Sequence, residues 1–565
     1  MDTSVNDKHF FTIFVFPFMY YRLRDGEKLS MRPSDLANQL CRLGEDSDWE
    51  EKAFDVSNAL EYNEWHYFYP YVRSMLFSTN RENRVSDRDT RRRNVDDSER
   101  KKSDDGIRYL RRKDYNKENN AELLAQFYAS DGTIHSVKTT VNSVDLHLFD
   151  NQIGLLSIST EKKTSEESVQ STFEDYLRYN ETVRRVYPPF LDRYSPSNVG
   201  NTSVVKSVAK MLPHCVALLS PKKPPVEERF PDLRLPEHKM YLSRVIRELL
   251  SPIRFNDGTF EQADFSYDLF TDDRMFIVSY YRDQELATSL SALCCGEYMY
   301  EKSDEWYSMI FVEGDYKDPT IKNERTKREL IRTHTYDRWV EGGSFYGMSR
   351  YSLVFLGKND WHVQNLLYDH MKSMYYQMAL IVLFQRAMLV KFSEEIKELT
   401  KYFKGGGRLD PELRKKADQL HGDFIKFTNE YWYTEVTPQE QGIEMYRQWM
   451  NLLGHDYLYA KVKGEIAELA AHVRTMIEHE SNQNIELITK MGLPLSVIIA
   501  VMTVWLAIYG EGHVPDLLSC IVHLRFDAWK VILFAFFAIS GVTFLFQLGK
   551  FIYRYVVQWF RKSPG

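Results

Sequence analysis

Residues 491–509 read MGLPLSVIIAVMTVWLAIY and residues 531–549 read VILFAFFAISGVTFLFQLG, two runs of nineteen positions without a charge. A helix of that length rises about 28 Å, the thickness of a bilayer hydrocarbon core. Lys530 and Lys550 frame the second run, and Trp529, Tyr553 and Trp559 supply interfacial aromatics. Both runs are therefore expected to be transmembrane helices. Lys490 precedes the first, and Lys550, Arg554, Arg561 and Lys562 follow the second, whereas the connecting segment offers Arg525 and, at its edge, Lys530. This bias places both termini and about 480 residues in the cytoplasm.

Working outward, Thr489, Ser496, Thr503 and Gly510 recur every seven residues through the first run, which keeps them near one helix face. Small and hydroxyl residues mediate close helix packing in membranes, and around an axis of several copies the same stripe would form stacked rings lining a pore. Neither run holds a carboxylate or a lysine, which argues against a proton-coupled transporter or an electrophoretic pump. Upstream, from Tyr457, no stop signal interrupts a helix whose apolar positions Val462, Ile466, Leu469, Val473 and Met476 are spaced 4-3-4-3, as in helix–helix packing. That helix is expected to be a stalk feeding the first span, its stripe turning polar at Glu480 and Gln483.

The helical region is expected to begin near Trp361. Residues 370–403 carry a helical period up to Gly405-Gly406-Gly407, with an uncharged core, Ser373 to Gln385, too short to span a membrane. Asp410-Pro411 opens another helix, and Thr437-Pro438-Gln439-Glu440 a third with a capping box. Residues 1–360 read as mixed α and β. Val144, Leu146 and Leu148 share a strand face, Asp150-Asn151 turns the chain, and Leu156 and Ile158 continue a hairpin. Thr164 with Glu167 caps a helix running to Val183, and Arg274–Tyr281, Trp306–Gly314 and Arg350–Gly357 read as strands. Residues 79–105 are dense in charges of both signs and almost free of apolar residues, so a disordered insertion is expected. The predicted architecture is thus an α+β cytoplasmic domain (1–360), a helical region and stalk (361–484), a pore-side span (485–510), a short outer loop (511–528), and a second span with a basic tail (529–565).

Composition narrows the function. The chain has 565 residues, 73 Lys and Arg against 80 Asp and Glu, and a formal charge of −7, so no positive excess marks a coat for nucleic acid and no direct nucleic-acid binding is expected. Cys41, Cys215, Cys294, Cys295 and Cys520 lack CxxC spacing, which disfavours a disulfide framework or zinc ribbon; the adjacent Cys294 and Cys295 are read as buried and structural. There is no GxxxxGK loop, no GxGxxG after a strand and no GxSxG turn. Pro231-Asp232 with Glu237-His238-Lys239 imitates a nuclease signature at the wrong spacing, and His455-Asp456 reads as a helix-surface feature. A non-enzymatic protein is expected.

The layout of a large α+β domain, a stalk helix and two closely spaced C-terminal spans resembles the CorA-like divalent cation transporters. Their Tyr-Gly-Met-Asn signature is represented by Tyr509-Gly510-Glu511-Gly512; the first two residues match, and the missing amide takes magnesium selectivity with it, leaving Glu511 to supply a carboxylate ring. The stretches LHLFDNQIGLLSIST, YNETVRRVYPPFL, DDRMFIVSYY, YDRWVEGGSFYGMSRYS and FTNEYWYTEVTPQEQGIEMY are similar to the divergent branch of that family found beside type III CRISPR systems. The resemblance implies a homopentamer in the bacterial inner membrane and a channel gated by a nucleotide second messenger, a cyclic oligoadenylate or an S-adenosylmethionine–AMP conjugate, acting in antiviral defence. A divergent cation transporter without nucleotide control is the alternative, and a divalent cation is a possible second ligand. A nucleotide needs cations for phosphate and aromatic faces for the base, which Arg184 and Arg185, Asp273 and Arg274, and Arg338 and Trp339 with Tyr346-Gly347 and Arg350 offer. The pore-lining candidates are Thr489, Ser496, Thr503, Gly510 and Glu511.

Overall fold

A computed structural model describes residues 8–41, 47–54, 56–77, 107–128, 133–162, 172–186, 213–229, 242–256, 262–269, 274–401 and 411–509. The expected insertion (79–105), the Thr164/Glu167 cap, the nuclease-like stretch, Asp273, Gly510, Glu511 and the second apolar run lie outside the described residues. By contact the chain divides into two compact units, Met1–Ile396 with Gly422–Gly464, and Lys397–His421 with Glu465–Gly565.

The strands in chain order are β1 (His9–Arg24), β2 (Glu27–Leu29), β3 (Trp49–Glu51), β4 (Arg108–Arg112), β5 (Glu122–Tyr128), β6 (Ile134–Leu148), β7 (Ile153–Lys162), β8 (Pro213–Ser220), β9 (Lys223–Arg229), β10 (Arg254–Phe255), β11 (Ala263–Asp268), β12 (Phe276–Arg282), β13 (Leu293–Cys294), β14 (Glu297–Tyr298), β15 (Thr335–Tyr336), β16 (Ser344–Met348) and β17 (Ser352–Gly357). The helices are α1 (Pro33–Cys41), α2 (Ala59–Tyr67), α3 (Pro70–Leu76), α4 (Phe173–Val183), α5 (Arg244–Leu250), α6 (Gln284–Leu290), α7 (Asp304–Phe311), α8 (Glu324–His334), α9 (Tyr368–Lys372), α10 (Met374–Thr400), α11 (Pro411–Glu430), α12 (Glu440–Leu453) and α13 (His455–Tyr509). The first unit is α+β.

Its main sheet follows the order β15-β16-β17-β12-β1-β7-β6-β5-β8-β9, antiparallel along this path except for the parallel β12–β17 pair. At its centre β1, HFFTIFVFPFMYYRLR, is buried almost throughout, as a strand covered on both faces must be. Ser157 and Thr160 of β7 have opposite parity and show why: Ser157 meets Tyr376 of α10 (2.8 Å), while Thr160 meets Tyr179 of α4 (3.0 Å). One helical layer lies on each face. Pro17 is tolerated in this central strand because it falls between two partners, β12 along His9–Val15 and β11 along Met19–Leu23. The expected hairpin is present as β6–β7, with Val144, Leu146 and Leu148 fully buried and Leu148 opposite Gly154. Phe149 in its turn stacks on Phe384 of α10 at 4.2 Å.

Two local readings need correction. Trp306–Gly314 is not a strand: Ser303 caps α7, its Oγ accepting the Trp306 N–H at 3.0 Å, and the aromatic content that suggested a strand instead puts Trp306, Met309 and Ile310 on one buried helix face. The Thr437 capping box does not form, since α12 starts after Gln439; buried Thr437 instead donates to the Tyr67 carbonyl and accepts from the Gln439 N–H at 3.2 Å. For α4, the described cap is a box of Thr172 with Asp175.

In the second unit Leu399, Leu413, Ala417, Leu420, Ile466, Leu469 and Val473 are buried. Helix α13 runs unbroken for 55 residues, about 82 Å, through Pro494, as the missing stop signal predicts. Its apolar stretch is long enough to cross a membrane, and Ile485, Ile488, Leu493, Leu495, Ile499 and Met502 are exposed along it.

Candidate functional site

Two separate pieces of chain bring arginines to one tyrosine ring in the first unit. Helix α4 ends at Arg184, its C-cap. Arg184 O accepts the Met275 N–H at 2.6 Å and Arg185 forms a β-bridge with Arg274, so the end of α4 is sewn to the start of β12. Tyr351 sits in the tight turn between β16 and β17, where the Ser349 backbone N–H donates to Ser352 O (2.9 Å), Ser349 Oγ to Ile310 O (3.0 Å) and Trp449 Nε1 to Ser349 O (3.2 Å). The Ile277 N–H binds Tyr351 O at 2.9 Å and holds the turn against β12.

On this frame the Arg274 guanidinium lies 4.7 Å and that of Arg184 5.8 Å from the Tyr351 ring centre, both in cation–π range. Arg185 pairs with Glu181 at 3.3 Å. Arg350, adjacent to Tyr351, is exposed. Arg386, from α10, donates to Leu453 O at 3.2 Å; burial and the like charge of Arg350 lower its pKa below the ordinary arginine value, against a smaller opposing effect of Tyr351. Two guanidinium groups, of Arg184 and Arg274, thus meet at one aromatic ring, with Arg185 bridged to Arg274 and Arg386 in electrostatic reach of Arg350 and Tyr351. The arrangement suits an anion carrying a planar ring, with guanidinium forks for phosphate and a tyrosine face for the ring.

The sequence candidates separate accordingly. Arg184, Arg185 and Arg274 are brought together. Arg184 is 3% exposed and its Nη2 donates to Val312 O at 2.9 Å, so it also holds the ends of α4 and α7 together. Arg338 lies elsewhere, paired with Glu444 at 2.9 Å, and Trp339 packs against Tyr336 and Tyr346. Sequence reasoning missed Tyr351 and Arg386. The legible signal for Arg386 is a lone charge directly after the uncharged run 373–385 of a buried helix.

Other features divide between fold and site. Glu161, on β7, accepts from His9 (2.9 Å), Tyr368 (2.6 Å) and Lys372 (2.9 Å); burial alone would raise its pKa, but these partners hold it well below the carboxylate range, so the group ties β1 and α9 to the sheet. His455 is buried, not at the surface, with Nε2 at Val382 O (3.1 Å), because α13 starts inside the first unit. A cleft of about 550 Å³ is lined by Arg22, Arg24, Arg254 and Phe265 at the β1–β11 end of the sheet. Among the described residues no three His, Cys, Asp or Glu side chains stand together as a metal site. On α13, Ser496 Oγ donates to Leu493 O (2.9 Å) and Thr503 Oγ1 to Ile499 O (2.8 Å), so these hydroxyls satisfy the helix's own carbonyls.

Compared with protein families, curated proteins and solved structures, the chain matches none. The chemistry of the site therefore rests on its own residues.

Proposed function

We propose that this chain is a CorA-like, homopentameric channel of the bacterial inner membrane, gated by a nucleotide second messenger that binds the arginine cluster around Tyr351 and acting in type III CRISPR antiviral defence. The observation that carries the ligand is that cluster: Arg184 and Arg274 at the Tyr351 ring, Arg185 bridged to Arg274, and Arg386 in electrostatic reach of Arg350 and Tyr351. A cyclic oligoadenylate or S-adenosylmethionine–AMP offers phosphate to the guanidinium groups and adenine to the ring. The observation that supports a channel is α13, one continuous helix that carries an exposed apolar stretch of spanning length and the Thr489, Ser496, Thr503 stripe. Gating follows if the ligand binds the open arrangement more tightly than the closed one; moving the equilibrium from 1:99 to 99:1 takes about 5.5 kcal/mol, which five sites would share.

The test is binding of both nucleotides to the detergent-purified chain, followed by ion flux from liposomes. Flux that requires nucleotide, with affinity reduced at least about tenfold by Arg350→Ala and untouched by Arg22→Ala with Arg24→Ala in the separate cleft, supports the proposal. Flux controlled by magnesium alone identifies a CorA-type transporter without nucleotide control. Absence of flux under both conditions leaves a membrane-anchored binding protein.

A further inference from the structure

Successive side chains of an extended strand point to opposite faces, so adjacent cysteines in a strand ordinarily cannot bind one partner together. Cys294 and Cys295 escape that rule. Cys294 ends β13, opposite Glu297 of β14, and the two-residue loop between the strands is Cys295-Gly296, with φ of 55° and 84°. Positive φ at both loop positions is the primed hairpin turn, which favours Asn-Gly or Asp-Gly; a cysteine in the first place accepts left-handed strain that an asparagine would avoid. The turn brings the two sulfurs to 3.9 Å, and both residues are exposed. The hairpin is tied down around them: Met299 N–H donates to Ala292 O (3.0 Å), Tyr298 Oη to Glu341 (2.6 Å), and Glu297 pairs with Lys302 (2.5 Å). A Cβ added at Gly296 would meet nothing within 4 Å, so solvent and ligand reach the turn freely. The expectation that this pair is buried and structural is overturned by that exposure.

The spacing bears on the chemistries open to a thiol pair. Two sulfurs bonded at about 2.3 Å to one centre stand roughly 3.4 Å apart at the narrow angle of a pyramidal centre and roughly 3.8 Å at a tetrahedral one, so the 3.9 Å found needs a closure of about 0.5 Å at most, whereas a disulfide bond of about 2.05 Å requires the sulfurs to close nearly half the gap. We propose that Cys294 and Cys295 form a bidentate dithiol site for a thiophilic centre, trivalent arsenic being the type case, with its remaining ligands supplied from outside the chain. With phenylarsonous acid, the hydrated form of phenylarsine oxide, the step is a condensation. Each thiol gives its proton to an arsenic hydroxyl, two waters leave, two As–S bonds replace two As–O bonds, and arsenic stays trivalent. The other described cysteines do not compete: Cys215 is buried and Cys41 is partly buried, on separate elements, with burial raising both thiol pKa values.

The experiment incubates the reduced, detergent-purified full chain with phenylarsine oxide and follows the intact mass and the count of thiols reactive with Ellman's reagent. The expected result is one phenylarsenic adduct with loss of two reactive thiols, resistant to a monothiol and reversed by a dithiol such as 2,3-dimercaptopropanol. Cys294→Ser and Cys295→Ser, both at exposed positions, should each weaken retention at least about 100-fold, because the second sulfur then no longer binds intramolecularly. A free peptide of residues 291–298 should retain the probe at least about tenfold less well, lacking the preformed turn. The proposal is overturned by an adduct that survives in the double serine variant, by no uptake in the wild-type chain, or by equal retention in peptide and protein.

Discussion

At the scale of single residues, burial sets two expectations of opposite sign. Glu64, on α2, is 9% exposed; burial pushes its carboxyl up to about 7, against the lowering effect of the Gln377 amide at 2.9 Å and with a further push from Glu61. A carboxyl with a raised folded pKa stabilises fully below its unfolded value near 4.5, and that stability is lost as pH rises towards 7. Glu64→Gln should therefore be near neutral at pH 4.5 and increasingly stabilising towards pH 8, approaching about 3 kcal/mol, as thermal melts across pH would record. A flat difference with pH would mean that Glu64 ionises freely. Arginines of the candidate site divide in the same way. Arg184→Ala strands the Val312 carbonyl and should cost about 1–3 kcal/mol in urea unfolding, whereas exposed Arg350→Ala should leave the midpoint unchanged and weaken anion binding. That division was not legible in the sequence, where Arg184 and Arg185 are neighbours of equal standing; a side chain's depth is set by the elements that pack over it.

At the scale of elements, local signals were strongest where they stayed local. The β6–β7 hairpin, the strands β12 and β17, the proline start of α11 and the unbroken α13 all follow from alternation, helical period, or the presence or absence of a stop. Helix α7 was misread because aromatic and β-branched content imitates a strand while Ser303, three residues before Trp306, carries the helix start. The Thr437 box failed because the helix starts two residues later, with Gln439 as its N-cap, while the Thr437 hydroxyl donates to the Tyr67 carbonyl and accepts from the Gln439 N–H. Gly154 shows contact between elements deciding a residue: a Cβ there would stand 2.3 Å from the Phe18 ring across the β1–β7 ladder. Gly154→Ala should cost about 1–3 kcal/mol, read as a lower urea midpoint with an unchanged slope. In α13, Thr503→Leu removes a hydroxyl from the expected pore face; under the channel proposal it should change ion flux and leave nucleotide affinity intact, and the reverse result would move Thr503 out of the pore.

At the scale of the whole molecule, the proposal makes one demand that needs no ligand. The chain has a mass of 66.8 kDa, and a CorA-like pore requires five copies around an axis. The protein should stay with membranes through alkaline carbonate washing and, in detergent, show a protein mass five times that of one chain by light scattering corrected for bound detergent. A monomer in stable solution would leave the polar stripe of α13 as a packing face and remove the channel reading, while the arginine cluster would still stand as a binding site.

The sequence by itself determined what depends on neighbours along the chain: an apolar run long enough for a bilayer, the helix that carries it, the hairpin of β6 and β7, and a mixed α and β region before the helices. Only the tertiary structure decided what depends on residues far apart. It brought Arg184 and Arg274 to Tyr351 and Arg386 into electrostatic reach of that turn, sent Arg338 to Glu444, buried His455 and turned Cys294 and Cys295 outward on one turn. The physical reason is that hydrophobic period and capping act within a few residues, whereas charge neighbours, solvent depth and facing side chains are set when separate elements close over a common core.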